Sequence, residues 1–174
     1  MLPTQNVGGG LRVSARLDVL DGRGRLVSSV WRPYDMTLKQ CAQIFQLNVA
    51  GIAGPLTVTD TSNTGRSVSA GSSITATQIA FGTGTTPAAF TDYTIQTQVA
   101  SGSPVTATVN GLSSNTFTIT ASWSNSTGSS VTVSELACYL TIGGHTFAIT
   151  HDVFTGQAVA NGQSGLATLT FTWT

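Results

Sequence analysis

Residues 11–20, LRVSARLDVL, alternate apolar and polar side chains without a break. Leu11, Val13, Ala15, Leu17 and Val19 share one face, while Arg12, Ser14, Arg16 and Asp18 share the other, which is the period of a half-buried strand. Asp21-Gly22 opens a turn with Gly24 following, and RLVSSVW at 25–31 returns as a second strand. Residues 1–35 therefore predict an N-terminal β-hairpin with Arg12 and Arg16 on one exposed face. Pro33 stops the second strand.

The period then changes. Leu38, Cys41, Ala42, Phe45 and Val49 repeat at helical spacing, and Thr37 with Gln40 reads as a capping box. One short α-helix is expected over 37–50, ended by Gly51. Its lone cation, Lys39, is too little for a membrane-surface helix.

From 55 to 174 the pattern is all strand. Strands are expected near 55–60, 73–81, 94–100, 104–110, 115–124, 130–142, 145–152 and 165–173. Between them lie turn clusters such as Ser62 to Gly65, Gly82-Thr83-Gly84, Asn110-Gly111, Gly143-Gly144 and Asn161-Gly162. LACYLTI at 136–142 is apolar on both faces, so its strand is central or covered on both sides. Parity places Trp123 and Trp173 inward. Short strands at this spacing predict an all-β fold, a single antiparallel β-sandwich of jelly-roll type spanning 1–174.

Composition sharpens this. Of 174 residues only 8% are charged and 40% are hydrophobic; an ordinary domain carries about 25% charge. The apolar content argues against disorder. Seven basic and seven acidic residues cancel, which excludes a strongly basic nucleic-acid binder. A charge-poor surface does little to resist association. Every basic residue lies before position 67, so 1–66 carries +3 and 67–174 carries −3. A basic surface meeting an acidic neighbour and uneven scatter are both open readings. No stretch is long and apolar enough to span a membrane, and residues 1–10 do not read as a secretory leader, so synthesis in the cytoplasm is expected.

Candidate chemistry is sparse. His151-Asp152 is the sole local acid–base pair, but strand neighbours point to opposite faces, and His151 shares the parity of Phe147 and Ile149, as a core histidine would. His145 begins its strand beside Gly144, roughly 20 Å from His151 along one strand face, too far for a shared metal. Gly82-Thr83-Gly84 lacks the lysine and helix of a phosphate loop. Cys41 and Cys138 read as buried reduced thiols. Asn125-Ser126-Thr127 fits a glycosylation sequon by chance. No catalytic residue, metal or cofactor is expected. Glu135, the sole glutamate, lies between apolar faces, where pairing with an arginine and plain exposure are both open. Trp31 and Tyr34, flanking Pro33, are the aromatic candidates for an exposed contact.

Ile79-Ala-Phe-Gly-Thr-Gly-Thr-Thr-Pro87, then Thr91-Asp92 and Ile95-Gln96-Thr97-Gln98-Val99, resemble a phrase of small structural proteins of tailed bacteriophages. Thr132-Val133-Ser134-Glu135-Leu136, His151-Asp152-Val153-Phe154 and Gly162 to Thr174 continue it in order. The resemblance implies a β-sandwich virion protein without enzymatic activity: capsid decoration, tail, neck or fibre component. In that setting Gly82 and Gly84 would supply backbone freedom and Asp92 a turn hydrogen bond. The expected partners are the chain itself, most simply as a trimer, and other virion proteins, with no direct nucleic-acid or membrane contact. Arg12, Arg16, Arg23, Arg25, Trp31, Tyr34 and Glu135 are the candidate subunit contacts. The alternative is a receptor- or carbohydrate-binding tip domain.

Overall fold

The computed structural model describes residues 10–33, 36–49 and 54–173. In chain order its elements are β1 (Leu11–Leu20), β2 (Leu26–Arg32), β3 (Met36–Thr37), α1 (Lys39–Val49), β4 (Leu56–Thr59), β5 (Gly65–Val68), β6 (Ile74–Gly82), β7 (Val105–Thr106), β8 (Thr108–Ser113), β9 (Thr116–Ser124), β10 (Val131–Ile142), β11 (His145–Val159) and β12 (Ser164–Trp173). Two five-stranded antiparallel sheets form, in the orders β2-β1-β12-β9-β8 and β3-β11-β10-β6-β7, with β4-β5 as a separate hairpin. This is the all-β, sandwich-like fold that the alternation predicts.

Alternation decides which faces meet. Val13, Ala15, Leu17 and Val19 of β1, Ile119, Ala121 and Trp123 of β9, and Ala167, Leu169 and Phe171 of β12 are buried. They pack against Ile79 and Phe81 of β6, Leu136 and Cys138 of β10, and Phe147 and Ile149 of β11 in one cluster. Phe81 and Trp123 meet across the layers with ring centroids 6.1 Å apart, and the Trp123 indole N–H donates to the Ser101 carbonyl, which gives a buried ring its polar partner. Gly143 and Gly144 both hold positive φ, 58° and 80°, the type I′ geometry that joins β10 to β11. At one end α1 and the β4-β5 hairpin contribute Ile44, Leu47, Val58 and Val68 to the same core.

Several elements differ from the sequence pattern. Residues 94–100 form no strand; an isolated bridge, Gly82 to Gln98, is their ladder contact. β5 is absent from the pattern because GRSV is half polar. The expected 104–110 strand divides into β7 and β8, and Asn110-Gly111 lies inside β8, the reversal falling at Ser114, whose φ is 57°. β11 runs on to Val159. Thr37 is no helix cap: it pairs with Thr150 in β3, the Leu38 carbonyl accepts the Ala42 N–H, and the Gln40 side-chain oxygen is buried without a hydrogen-bond partner. The helix is also rotated from the expected stripe. Gln40, Ile44 and Leu47 face inward, and Phe45 is 55% exposed. Trp173, expected inward, is 42% exposed at the strand end and packs on Phe117. Among the described residues no helix is long and apolar enough to cross a membrane.

Candidate functional site

β10 is covered on both faces, as its apolar run predicts. Away from the main core, Ala80, Ala137 and Ala148 form a floor of small side chains beside Tyr139, joined by Leu38 and Ile95. The register sets Ala137 between Ala80 and His151, and Glu135 beside Gly82. Residues 83–99 lie across this floor. The Thr83 and Val99 N–H groups keep backbone partners, the Thr97 and Phe81 carbonyls, but others turn to side chains: the N–H groups of Gly84, Gln96 and Thr97 donate to the Glu135 carboxylate at 3.0, 2.5 and 3.3 Å. The Ile95 N–H donates to the Tyr139 hydroxyl at 3.1 Å, and the Ser134 hydroxyl donates to the Gly84 carbonyl at 2.8 Å. Buried backbone groups need partners, and here Glu135 and Tyr139 supply them.

His151 completes the cluster. Its Nε2 lies 2.7 Å from Glu135 Oε1 and its Nδ1 lies 2.7 Å from Asp92 Oδ2. The His151 and Glu135 side chains are wholly buried. Two carboxylates facing two ring nitrogens suit the imidazolium, the form with both N–H donors. Burial opposes that charge, but the hydrogen bonds to Glu135 and then Asp92 outweigh it and hold the His151 pKa above its ordinary value. Burial likewise favours the neutral Glu135 acid, yet the His151 hydrogen bond and the Gln96 and Thr97 amides hold its pKa below the usual range.

The position of His151 corrects the parity argument. A β-bulge between Cys138 and Tyr139 shifts the register, so His151 stands opposite Ala137 instead of joining Phe147 and Ile149. Neighbouring Asp152 diverges as expected, with Arg32 Nε 3.5 Å away; burial dominates there and raises its pKa. Gly82 and Gly84 also act differently from expectation. Neither has a positive φ. A Cβ on Gly84 would lie 2.5 Å from Glu135 Oε2, and one on Gly82 would lie 2.8 Å from the Thr97 carbonyl. Space for the carboxylate, not backbone freedom, requires these glycines.

Among the candidate contacts, Arg12, Arg16, Arg23, Arg25 and Trp31 are exposed. Trp31 stands opposite Arg16 across β1 and β2. Asp18 holds Arg16 at 2.8 Å and Asp21 holds Arg25 at 2.7 Å. Tyr34 lies outside the described residues. Glu135 is corrected: it meets no arginine and no surface, because the 83–99 segment and His151 enclose it. The cluster of Glu135, His151 and Asp92 is what sequence reasoning missed. Its signal was present, in that the sole glutamate and a strand histidine both stand within otherwise apolar strand segments.

Neither Cys41 nor Cys138 is in a disulfide, and burial pushes the Cys41 pKa up to about 11. Asn125, the sequon residue, is 1% exposed; its side chain donates to the Ser129 and Val159 carbonyls and accepts from Thr127. Among the described residues no group of three His, Cys, Asp or Glu side chains is arranged to hold a metal. Compared with protein families, with curated proteins and with solved structures, the chain matches none.

Proposed function

We propose that this chain is a non-enzymatic structural subunit of a bacteriophage particle that packs against copies of itself on a capsid or tail. The carrying observation is convergence. Gly82-Thr83-Gly84, Thr91-Asp92, Ile95 to Val99, Ser134-Glu135 and His151, which stand far apart in the chain, supply one buried cluster. The resemblance therefore tracks a single physical unit instead of scattered β-sheet residues. His151, the side chain a hydrolase would need, has both ring nitrogens engaged and no exposure.

Self-association is supported by the sheet edges. The second sheet ends in two-residue strands, β3 and β7, a common way of blunting an edge. The first sheet ends in β2 and β8, of seven and six residues. All of β8 is exposed, it carries no charge, and Val109 and Leu112 are 53% and 65% exposed. Leu26 and Val27 on β2 are similarly open. An exposed edge strand that carries no charge and presents apolar side chains, as β8 does, is a site where another chain pairs.

Light scattering on the full chain tests the reading. A stable homo-oligomer, most simply a trimer, is expected, and electron microscopy of particles carrying the labelled chain should place it on a shell or a tail. A monomer at every practical concentration overturns it.

A further inference from the structure

We propose that the outer face of the first sheet, around Trp31, binds an acidic oligosaccharide. This goes beyond self-association and does not rest on it.

The register builds the face. Trp31, Arg16, Thr168, Thr120 and Thr108 follow one another across β2, β1, β12, β9 and β8. The next rows run Ser14, Thr170, Thr118, Asn110 and then Arg12, Thr172, Thr116. Apart from the indole, these rows present hydroxyl, amide and guanidinium groups. Trp31 is 63% exposed on this face. Two shallow hollows flank it: one of about 520 Å³ bounded by Ser14, Arg16, Asp18, Ser29 and Thr168, its one carboxylate already held by Arg16, and one of about 290 Å³ bounded by Arg12, Pro33 and Thr172. An exposed ring offers a flat apolar surface to the C–H face of a pyranose, and surrounding hydroxyls match its hydroxyls.

Charge selects among sugars. Arg12, Arg16, Arg23, Arg25, Arg32 and Lys39 are exposed, whereas none of the described acids is. Asp60, Glu135 and Asp152 are sunk at 3%, 0% and 5% exposure. Among the described residues the fully exposed charges are thus all cationic, and they are concentrated on the N-terminal hairpin. Arg12 has no ion-pair partner among the described residues. Asp18 engages Arg16 through Nε, and the remaining guanidinium donors can meet a ligand carboxylate or sulfate in bidentate fashion. Among the described residues the acids of a second copy are buried or half-buried, Asp18 and Asp21 already paired with arginines and Asp92 with His151, so a sugar acid is the favoured occupant.

The test is tryptophan fluorescence and calorimetric titration of the full chain with polygalacturonate, heparin, neutral dextran and single-stranded oligothymidylate. Saturable binding to polygalacturonate or heparin and none to dextran is expected, the better of the two assigning carboxylate or sulfate as the recognised group. Trp31→Ala should weaken it at least about tenfold, and Arg12→Glu with Arg16→Glu should abolish it, with unchanged circular dichroism. Failure of both acidic glycans to bind, unchanged binding by Trp31→Ala, or tighter binding of the oligonucleotide overturns the proposal. So does a change of oligomeric mass in the double arginine variant with sugar binding intact, since that would make the face a subunit interface.

Discussion

His151 Nε2 lies 2.7 Å from Glu135 Oε1 with both side chains fully enclosed. The pair joins the sheet to the 83–99 segment, because Glu135 also accepts three backbone N–H groups from that segment and His151 reaches Asp92 within it. Removing one partner of a buried pair leaves an uncompensated charge. His151→Ala is expected to destabilise the fold by about 3–5 kcal/mol in chemical denaturation. Asp92→Asn should cost clearly less, because the Asp92 side chain is 29% exposed and water can replace part of what it loses.

The same cluster sets a pH window. The Glu135 pKa is lowered in the fold from 4.5, so its contribution is present above that value and is lost as pH falls through the folded pKa. The His151 pKa is raised from 6.5, so its contribution is full below 6.5 and is lost as pH rises through the folded pKa. Asp152, raised from 3.8 chiefly by burial, works against the fold as it ionises and trims the acid side. The melting temperature should therefore be highest between about 4.5 and 6.5 and fall on both sides. His151→Gln should flatten the alkaline limb specifically; an unchanged limb would remove His151 as its cause.

Gly84→Ala should act by crowding, because the added Cβ meets Glu135 Oε2 at 2.5 Å and the Gln96 side-chain oxygen at 2.6 Å. A cost of about 1–3 kcal/mol is expected. Shortening the acid with Glu135→Asp makes room, so a double-mutant cycle should show coupling of at least about 0.5 kcal/mol. Gly143→Ala, strained by a φ of 58° but facing open space, should show no coupling to Glu135→Asp.

The hairpin, the main strands and the double coverage of β10 were legible because a strand with one buried face writes its period into the chain, as Val13 to Val19 and Ala167 to Phe171 do. The cluster was not, for three physical reasons. A bulge at Cys138/Tyr139 reverses parity, so a period-two count sends His151 to the wrong face. Residues 94–99 carry strand-like composition, but the N–H groups of Ile95, Gln96 and Thr97 go to Tyr139 and Glu135, a choice made by distant residues. The helix stripe misled because Phe45 and Ala42, apolar at helical spacing, face outward with Cys41 onto a hollow closed by Leu11 and Trp173. Periodicity identifies an apolar face without saying what covers it.

Asn125 gives a test away from the cluster. Its amide ties the β9–β10 loop to the Val159 carbonyl at 2.7 Å and the Ser129 carbonyl at 2.8 Å, and its oxygen accepts from the Thr127 N–H and hydroxyl. Asn125→Ala should cost about 1–3 kcal/mol for buried groups left unpaired, measured by urea unfolding. Asn161→Ala, whose side chain accepts one N–H from exposed Gly128, should cost well under half as much.

The edge strand β8 separates assembly from folding. Val109 and Leu112 are more than half exposed, so lysine at both positions loses little burial within the protomer and should change its stability by no more than about 0.5 kcal/mol per site. In an assembled edge the same two lysines would bring like charges into a dry strand pair and leave backbone donors unpaired. Val109→Lys with Leu112→Lys is therefore expected to lower the mass seen by light scattering to that of a monomer while circular dichroism and melting temperature hold. Ile74→Lys makes the control: Ile74 is 53% exposed but lies at the start of β6, in the second sheet, where it pairs with Ile142 of β10, so it should leave the mass unchanged. An oligomer that survives the β8 pair and dissociates with Ile74→Lys would move the interface from the open edge of the first sheet to the far end of the second.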